Sequence, residues 1–142
     1  MSAEQVFSIA GMVAMDGWLV LAVGGRRPWA SGLVSGVAIP LLLGVLYAGL
    51  LAANWGGSEG GFGSLAEVAK LFSNDWVLLA GWVHYLAFDL FIGSWEVRDA
   101  AKHAVPHLLV IPCLVLTFLF GPVGLLLYFG LRTWRAGMAS LA

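Results

Sequence analysis

Cysteine and charge are the scarcest features of this chain. Among its 142 residues there is one cysteine, Cys113, which can form no internal disulfide and no cysteine-based metal site on its own. Charged residues make up 11% of the chain, the net charge is −1, and neither sign forms a run. This composition predicts no nucleic-acid partner and no electrostatic binding to an anionic membrane surface. We expect Cys113 to be a small buried apolar residue.

Hydrophobic residues, in contrast, make up 61% of the chain, and the mean hydropathy is +0.91. These values are typical of an integral membrane protein. The apolar runs predict a single all-α domain over 1–142, an integral membrane four-helix bundle with spans at about 5–24, 32–53, 76–97 and 108–132. Ser64 and Glu67 form a capping box that predicts a short interfacial helix at 64–73, between spans two and three.

The third predicted span contains ionisable side chains at membrane depth. His84 and Asp89 lie well inside it, where a charge costs at least ~2.5 kcal/mol and such residues normally face a cavity or a partner. The structural alternative is that they form buried hydrogen bonds between helices. At the helical period of 3.6, the side chains on the face of Asp89 fall within an arc of roughly 80°; they are Tyr85, Asp89, Ile92, Glu96 and Asp99.

His84 falls roughly 140° from Asp89 by the same geometry. A straight helix therefore aims the two at one partner only if a bulge changes its phase or if the helix is central. A carboxylic acid in hydrocarbon tends to stay neutral and can then act as a general acid. The predicted catalytic residues are therefore Asp89 as the acid, His84 as the complementary base, and Tyr85, which can reach Asp89 directly. Asp16 of the first span is either a further acid or a residue that forms a hydrogen bond between helices.

Three prolines interrupt the predicted spans. Pro40, Pro112 and Pro122 each remove a backbone hydrogen bond, so we expect bends, and the carbonyls of Leu108 and Phe118 need other partners. Kinked helices leave room between them. We therefore predict an elongated apolar cavity bordered by His84, Tyr85 and Asp89; its further lining is Trp82, Phe88, Pro112, Phe118 and Pro122.

A metal site is the alternative use of these side chains. Histidine and carboxylates suit iron, manganese or zinc, but the E-x-x-H pair of di-iron bundles does not occur. The weak candidates for ligands are His84, Asp89, Asp16 and Glu96. We predict no cofactor otherwise.

Lysine and arginine do not decide the orientation of a four-span chain. Four of them, Arg26, Arg27, Arg98 and Lys102, fall on one side of the membrane, against Lys70, Arg132 and Arg135 on the other. The sequence predicts an interfacial anchor after the last span, formed by Arg132, Trp134 and Arg135.

The second half of the chain resembles a known family. The matching pieces are Ala69-Lys70-Leu71-Phe72-Ser73, Trp82-x-His84, Asp89-Leu90-Phe91, Asp99, Pro112-Cys113-Leu114 and Gly121-Pro122-Val123-Gly124. Together they resemble the abscisic-acid-deficient-four-like family, whose plant members are associated with neoxanthin synthesis. The first half matches in layout only.

This resemblance implies a carotenoid-modifying membrane enzyme of the epoxy-carotenoid isomerase type. Opening the epoxide and forming an allene involves no net redox change; Asp89 as acid and His84 as base are the matching positions. The absence of a transit peptide favours a multi-pass protein of the bacterial inner membrane. The expected partners are a carotenoid or another isoprenoid lipid and the membrane, with a homo-oligomer or a larger membrane complex as further options.

Two other functions stay open from the sequence. The chain could be a non-catalytic carotenoid- or lipid-binding subunit of a membrane assembly, since aromatic residues and kinked helices can hold a polyene. It could also be a small transporter or proton-conducting protein, which would use buried His and Asp as well.

Overall fold

A computed structural model describes residues 1–137, and every regular element in that range is helical. The all-α prediction is therefore confirmed for this part of the chain. The elements are α1 (Ala3–Gly24), a π-helix (Pro28–Ala38) that runs directly into α2 (Ile39–Asn54), a 3₁₀ turn (Trp55–Gly57), α3 (Leu65–Leu71), α4 (Asp75–Lys102), α5 (His107–Phe120) and α6 (Pro122–Ala136).

Within residues 1–137, three helical stretches are long and apolar enough to cross a membrane. They are Ala3–Gly24, Pro28–Gly57 and Asp75–Lys102. Each contains one of the first three predicted spans, so the sequence located these helices correctly.

The predicted fourth span, 108–132, is wrong as a single helix. The chain forms α5 and α6, of 14 and 15 residues, which meet at Gly121. Gly121 lies beside Asp89 in the middle of α4, whereas Arg132, farther along α6, contacts His103 at the end of α4. The chain therefore reverses and forms a helical hairpin. At about 1.5 Å per residue, each arm is roughly 21–23 Å long, shorter than a bilayer core of about 30 Å.

Two glycines allow this reversal. Gly121 has φ +41°, in the left-handed region that disfavours other residues, and Pro122 then begins α6 without needing a backbone hydrogen bond. Gly124 packs directly on Thr117 of α5, so that any side chain there would overlap the backbone nitrogen and the hydroxyl of Thr117. The sequence Gly-Pro-x-Gly is thus a turn here and not a kink.

The direction of each helix follows from its contacts. The Phe7 and Trp82 rings are 5.6 Å apart, and Trp18 lies on Gly93, so α1 and α4 run in the same direction. The π-helix and α2 run the opposite way, and α6 returns parallel to α4. One end of the molecule, which we call the basic end, therefore holds six of the seven lysines and arginines: Arg26, Arg27, Arg98, Lys102, Arg132 and Arg135.

Pro40 follows immediately after the π-helix. The N–H of Ile39 bonds the carbonyl of Val34, five residues back, which is the wider π spacing. Arg98 of α4 supports this segment, because its Nη1 donates to the carbonyl oxygen of Ser31 at 2.8 Å. We therefore find that the distortion expected at Pro40 takes the form of a change from π to α winding.

The short helix α3 begins at the predicted cap. Ser64 Oγ accepts a hydrogen bond from the Glu67 N–H at 3.2 Å, which confirms the cap. Leu65 is 86% exposed, whereas Leu71 is 2% exposed and anchors the helix. Next to it, Lys70 lies 2.8 Å from Glu59 and holds the pKa of that carboxyl below its usual value.

The hydrophobic core continues on both sides of α4. On one side, Trp18 and Leu21 of α1 pack with Leu90 and with the hairpin. Cys113 is buried in this cluster, which confirms its predicted apolar role. On the other side, Leu43 of α2 belongs to a second cluster with the first half of α4.

Candidate functional site

Asp89 lies at the tip of the hairpin. A Cβ added to Gly121 would be 3.0 Å from its Oδ1 and 3.2 Å from its Oδ2, so the missing side chain of Gly121 makes room for the carboxyl group. Oδ2 is buried and has no hydrogen-bond partner among residues 1–137.

Tyr85, one turn before Asp89, holds the other side of the tip. Its hydroxyl donates to the carbonyl oxygen of Phe118 at 2.9 Å. This is the carbonyl whose helical partner is missing because residue 122 is a proline. The prediction that Phe118 needs another partner is therefore confirmed, and Tyr85 fixes the tip on α4 at the level of Asp89.

A groove leads along α4 toward this tip. It lies between α1 and α4, has a volume of about 610 Å³, and is lined by Ser2, Ala3, Glu4, Phe7, Asp75, Leu78, Leu79 and Trp82. Trp82 stands at its inner end, with its ring 5.2 Å from the Tyr85 ring. Leu78, Trp82, Tyr85 and Asp89 follow helical spacing on α4. Asp89 lies two turns beyond Trp82 on α4 and does not line the groove.

His84 does not reach this site. Its ring is stacked on Phe88 at 4.6 Å and lies edge-on to Tyr47 at 5.4 Å, on the side of α4 that faces α2. Since α4 is an unbroken α-helix, the angular separation between His84 and Asp89 persists. The predicted cavity bordered by His84, Tyr85 and Asp89 together is thus wrong. The catalytic role of His84 stays a prediction without this geometric support.

The predicted lining residues also divide among different surfaces. Phe88 borders a second groove between α2 and α4, of about 440 Å³, which also contains Pro40. The Phe118 ring packs on Trp18 at 5.6 Å, inside the core. Pro112 and Pro122 are exposed on the hairpin. Of the five, Trp82 borders the groove between α1 and α4.

The weak metal candidates are likewise dispersed. Asp16 is exposed on α1, whereas Glu96 of α4 is buried on the side that faces α5. In the described part of the chain, no three His, Cys, Asp or Glu side chains are placed so that they could hold a metal ion.

A buried polar network joins α4 to the hairpin, and we call it the polar seam. Its members are Glu96, Asp99 and His103 of α4, Thr117 of α5, and Tyr128 and Arg132 of α6. Arg132 is 1% exposed and Tyr128 is fully buried. The sequence-based assignment of Arg132 to an interfacial anchor is therefore wrong, since its guanidinium is turned inward.

Asp99 is the centre of the seam. Its Oδ2 accepts a hydrogen bond from the Tyr128 hydroxyl at 2.5 Å and lies 3.1 Å from Nε of Arg132. Its Oδ1 is 3.5 Å from Nδ1 of His103. Arg132 Nη2 lies 2.7 Å from His103 Nε2. The seam thereby fixes the end of α6 against the end of α4.

The helical period had already placed the α4 half of the seam. Tyr85, Asp89, Glu96 and Asp99 share one face, as predicted, and that face meets the hairpin. Tyr128 and Arg132 could not be found in this way, because 29 residues separate each from its partner on α4. The available signal was that Tyr128 and Arg132 carry polar groups within an otherwise apolar run.

Comparison with known proteins agrees with the resemblance in the sequence. A family model described as ABA DEFICIENT 4-like matches residues 5–128. The chain is 24% identical over 135 residues to Protein ABA DEFICIENT 4, chloroplastic, of Arabidopsis thaliana, and the match covers 89% of this chain and 60% of that protein. The chain thus spans about three fifths of the length of this relative. No solved structure matches. Since the family match runs from α1 to the Tyr128 of the seam, the chain belongs to the ABA DEFICIENT 4-like family.

Proposed function

We propose that this protein is a carotenoid-modifying membrane enzyme of the epoxy-carotenoid isomerase type. Family membership supports the substrate class, through the association of plant members with neoxanthin synthesis. The observation that carries the proposal is the placement of Asp89. The carboxyl group of Asp89 lies two turns of α4 beyond Trp82, which lines the groove, and one turn beyond a tyrosine that positions the hairpin tip.

Asp89 acts as the acid in this scheme. Its proton passes to the epoxide oxygen, the carbon–oxygen bond breaks, and the oxygen becomes a hydroxyl group. The carboxylate that remains then accepts a proton from a nearby carbon of the polyene, and the electrons of that carbon–hydrogen bond complete the allene. Proton gain and proton loss balance, so no oxidant or reductant is needed. Tyr85 positions the tip and does not exchange a proton with the substrate.

The membrane placement is part of the proposal. Three long apolar helices would cross the bilayer, and the hairpin would enter it and return. The basic end would face the cytoplasm of a bacterial inner membrane, because lysine and arginine are enriched in cytoplasmic loops. A homo-oligomer or a larger membrane complex is compatible with this arrangement.

Expression in a host that makes an epoxy-carotenoid tests the function directly. With the wild type, we expect a new pigment of unchanged mass. Asp89→Asn keeps the size of the side chain but cannot transfer the proton, so conversion should fall ~100-fold or more. His84→Gln and Asp16→Asn, which alter side chains away from the tip, should retain conversion. A fully active Asp89→Asn protein would refute the catalytic assignment, and loss of activity in His84→Gln would restore His84 as the base.

A binding subunit is the second candidate, and the groove between α2 and α4 favours it. That groove is apolar and is lined by Gly36, Val37, Pro40, Leu41, Gly44, Ala87, Phe88 and Phe91, without a carboxyl group. It could hold a polyene and leave it unchanged. Co-purification of unaltered pigment, with no new pigment in the host, would support this candidate. If the host makes no new pigment and no pigment co-purifies, the result would favour a transporter or a proton-conducting protein.

A further inference from the structure

Two carboxyl groups of the polar seam lie one turn apart and have opposite surroundings. Asp99 receives the Tyr128 hydroxyl and lies against the guanidinium of Arg132. Glu96 is 0% exposed, and only one of its oxygens is satisfied, since Thr117 Oγ1 donates to Oε1 at 2.9 Å. Oε2 has no hydrogen-bond partner among residues 1–137.

The free-energy cost of burying a charge differs between Glu96 and Asp99. A buried carboxylate is tolerated when a cation and several donors surround it, as they do at Asp99. Without a cation in contact, a buried carboxyl group takes a proton instead of remaining charged. When two neighbouring carboxyl groups have such unequal surroundings, one carries the proton and the other the charge.

No described element that faces Glu96 alters this balance. On α4, Asp89 lies two turns before it and Asp99 one turn after it, and both are acidic. From α5 it meets Thr117, with Cys113 one turn earlier in that helix. On α6, the nearest titratable groups, Tyr128 and Arg132, are bonded to Asp99.

We infer that Glu96 is a proton-binding site: it carries a proton in the folded protein at neutral pH, next to the Asp99 carboxyl group that Arg132 and Tyr128 contact. The neutral acid lets α4 and the hairpin pack closely. Ionisation of Glu96 would place two carboxylates one turn apart inside the seam and weaken the hairpin's contact with α4. The ligand of this site is the proton itself, so the inference does not depend on the proposed carotenoid chemistry.

Infrared spectroscopy of the purified full chain tests the protonation state. A protonated carboxylic acid has a carbonyl band distinct from that of a carboxylate, and the band shifts in D2O. We expect such absorption at neutral pH from Glu96 and, as the proposed function requires, from Asp89. Glu96→Gln should remove one component, and Asp89→Asn should leave that component in place. Glu67→Gln, which changes an exposed glutamate of α3, should leave the band unchanged.

A second variant keeps the test valid if Glu96→Gln does not fold. Thr117→Val retains Glu96 and removes the hydrogen bond to Oε1, so the same band should change in frequency. A band that neither variant alters would overturn the assignment, and so would a wild-type spectrum without any protonated carboxyl group at neutral pH.

Thermal unfolding at several pH values provides an independent readout. An unfolded glutamate ionises near pH ~4.3, whereas folded Glu96 retains its proton. The wild type should therefore lose stability as the pH rises from about that value toward neutrality. Glu96→Gln cannot titrate, so its melting temperature should rise relative to that of the wild type over this range. A difference that is constant with pH would contradict the inference.

Discussion

The hydroxyl of Tyr85 links two helices at the point where the chain reverses. It occupies the carbonyl of Phe118, which Pro122 deprives of its helical partner. A single side chain thus satisfies the backbone group exposed by the break between α5 and α6. Because the site is at membrane depth in the proposed orientation, water is not there to replace it.

Removal of this hydroxyl should destabilise the hairpin. Tyr85→Phe leaves the Phe118 carbonyl without a donor, which should lower the free energy of unfolding by about 1–3 kcal/mol. Tyr47→Phe is the matched control, since the Tyr47 ring contacts His84 and its hydroxyl forms no hydrogen bond within residues 1–137. Thermal unfolding in detergent measures both. Equal melting temperatures for the two variants would show that the bond to Phe118 does not hold the tip.

The ion pair of Asp99 and Arg132 orients α6 more than it stabilises it. Buried ion pairs recover little net free energy, because both charges lose their hydration, but loss of one partner costs about 3–5 kcal/mol. The pair therefore acts by excluding other arrangements. If α6 turned or slipped along α4, the Arg132 guanidinium would be buried without its carboxylate. Tyr128 and His103 add contacts that depend on the same register.

At the next scale, the hairpin of α5 and α6 depends on close approach of its two helices. Thr117 of α5 lies directly against Gly124 of α6. The same hydroxyl group of Thr117 that donates to Glu96 is part of this contact. The packing within the hairpin and its attachment to α4 are therefore coupled through one residue.

Two glycine substitutions in α6 separate this packing from helix propensity. Gly124→Ala should destabilise the protein strongly, because its Cβ would overlap the backbone of Thr117. Gly130→Ala should be neutral or stabilising by up to ~1 kcal/mol, since nothing lies within 4 Å of that position and alanine favours helix. Melting temperatures of both variants check this. If Gly124→Ala were as stable as Gly130→Ala, the close approach would be wrong.

The π-helix is a second element that depends on a distant side chain. Arg98 donates to Ser31 in the π-helix and to Ser94 in its own helix. Gly36 leaves the space that the guanidinium occupies. A cation of α4 thus supplies the donor for a backbone carbonyl that the irregular winding exposes, which explains how the distortion persists next to Pro40.

For the whole molecule, the hairpin changes the distribution of charge. A single fourth span would divide the basic residues four against three. Because α6 returns to its starting side, the basic end holds six and the opposite end holds Lys70. A bias of this size gives the positive-inside rule a clear direction. In the proposed membrane placement, the reversal therefore favours the orientation with the basic end in the cytoplasm.

Single cysteines test this topology in a Cys113→Ala background. Thr133→Cys in α6 and Ala101→Cys in α4 should react with an impermeant thiol reagent from the same side of the membrane. Ala66→Cys in α3 should react from the other side. All three positions are exposed, and none carries a charge that the substitution would remove. Labelling of residues 133 and 66 from one side would instead establish a continuous fourth span.

The sequence by itself determined the features that depend on local spacing. Run lengths located α1, α2 and α4, and the Ser64 cap located the start of α3. The period of 3.6 placed Tyr85, Asp89, Glu96 and Asp99 on one face and His84 on another. The chemistry of proline identified Phe118 as a carbonyl in need of a donor. Each of these follows from residues within a few turns of one another.

Only the tertiary structure decided what that face of α4 meets. Gly121 and Pro122 are compatible with a kinked span or with a chain reversal. The close packing of Gly124 on Thr117 distinguishes the reversal from the kink. The partners of Asp99 come from a helix whose direction depends on that turn. A charged residue such as Arg132 near the end of an apolar run looks like an interfacial anchor until a buried carboxylate is placed beside it. Pairings across 29 residues are set by packing, which local spacing does not encode.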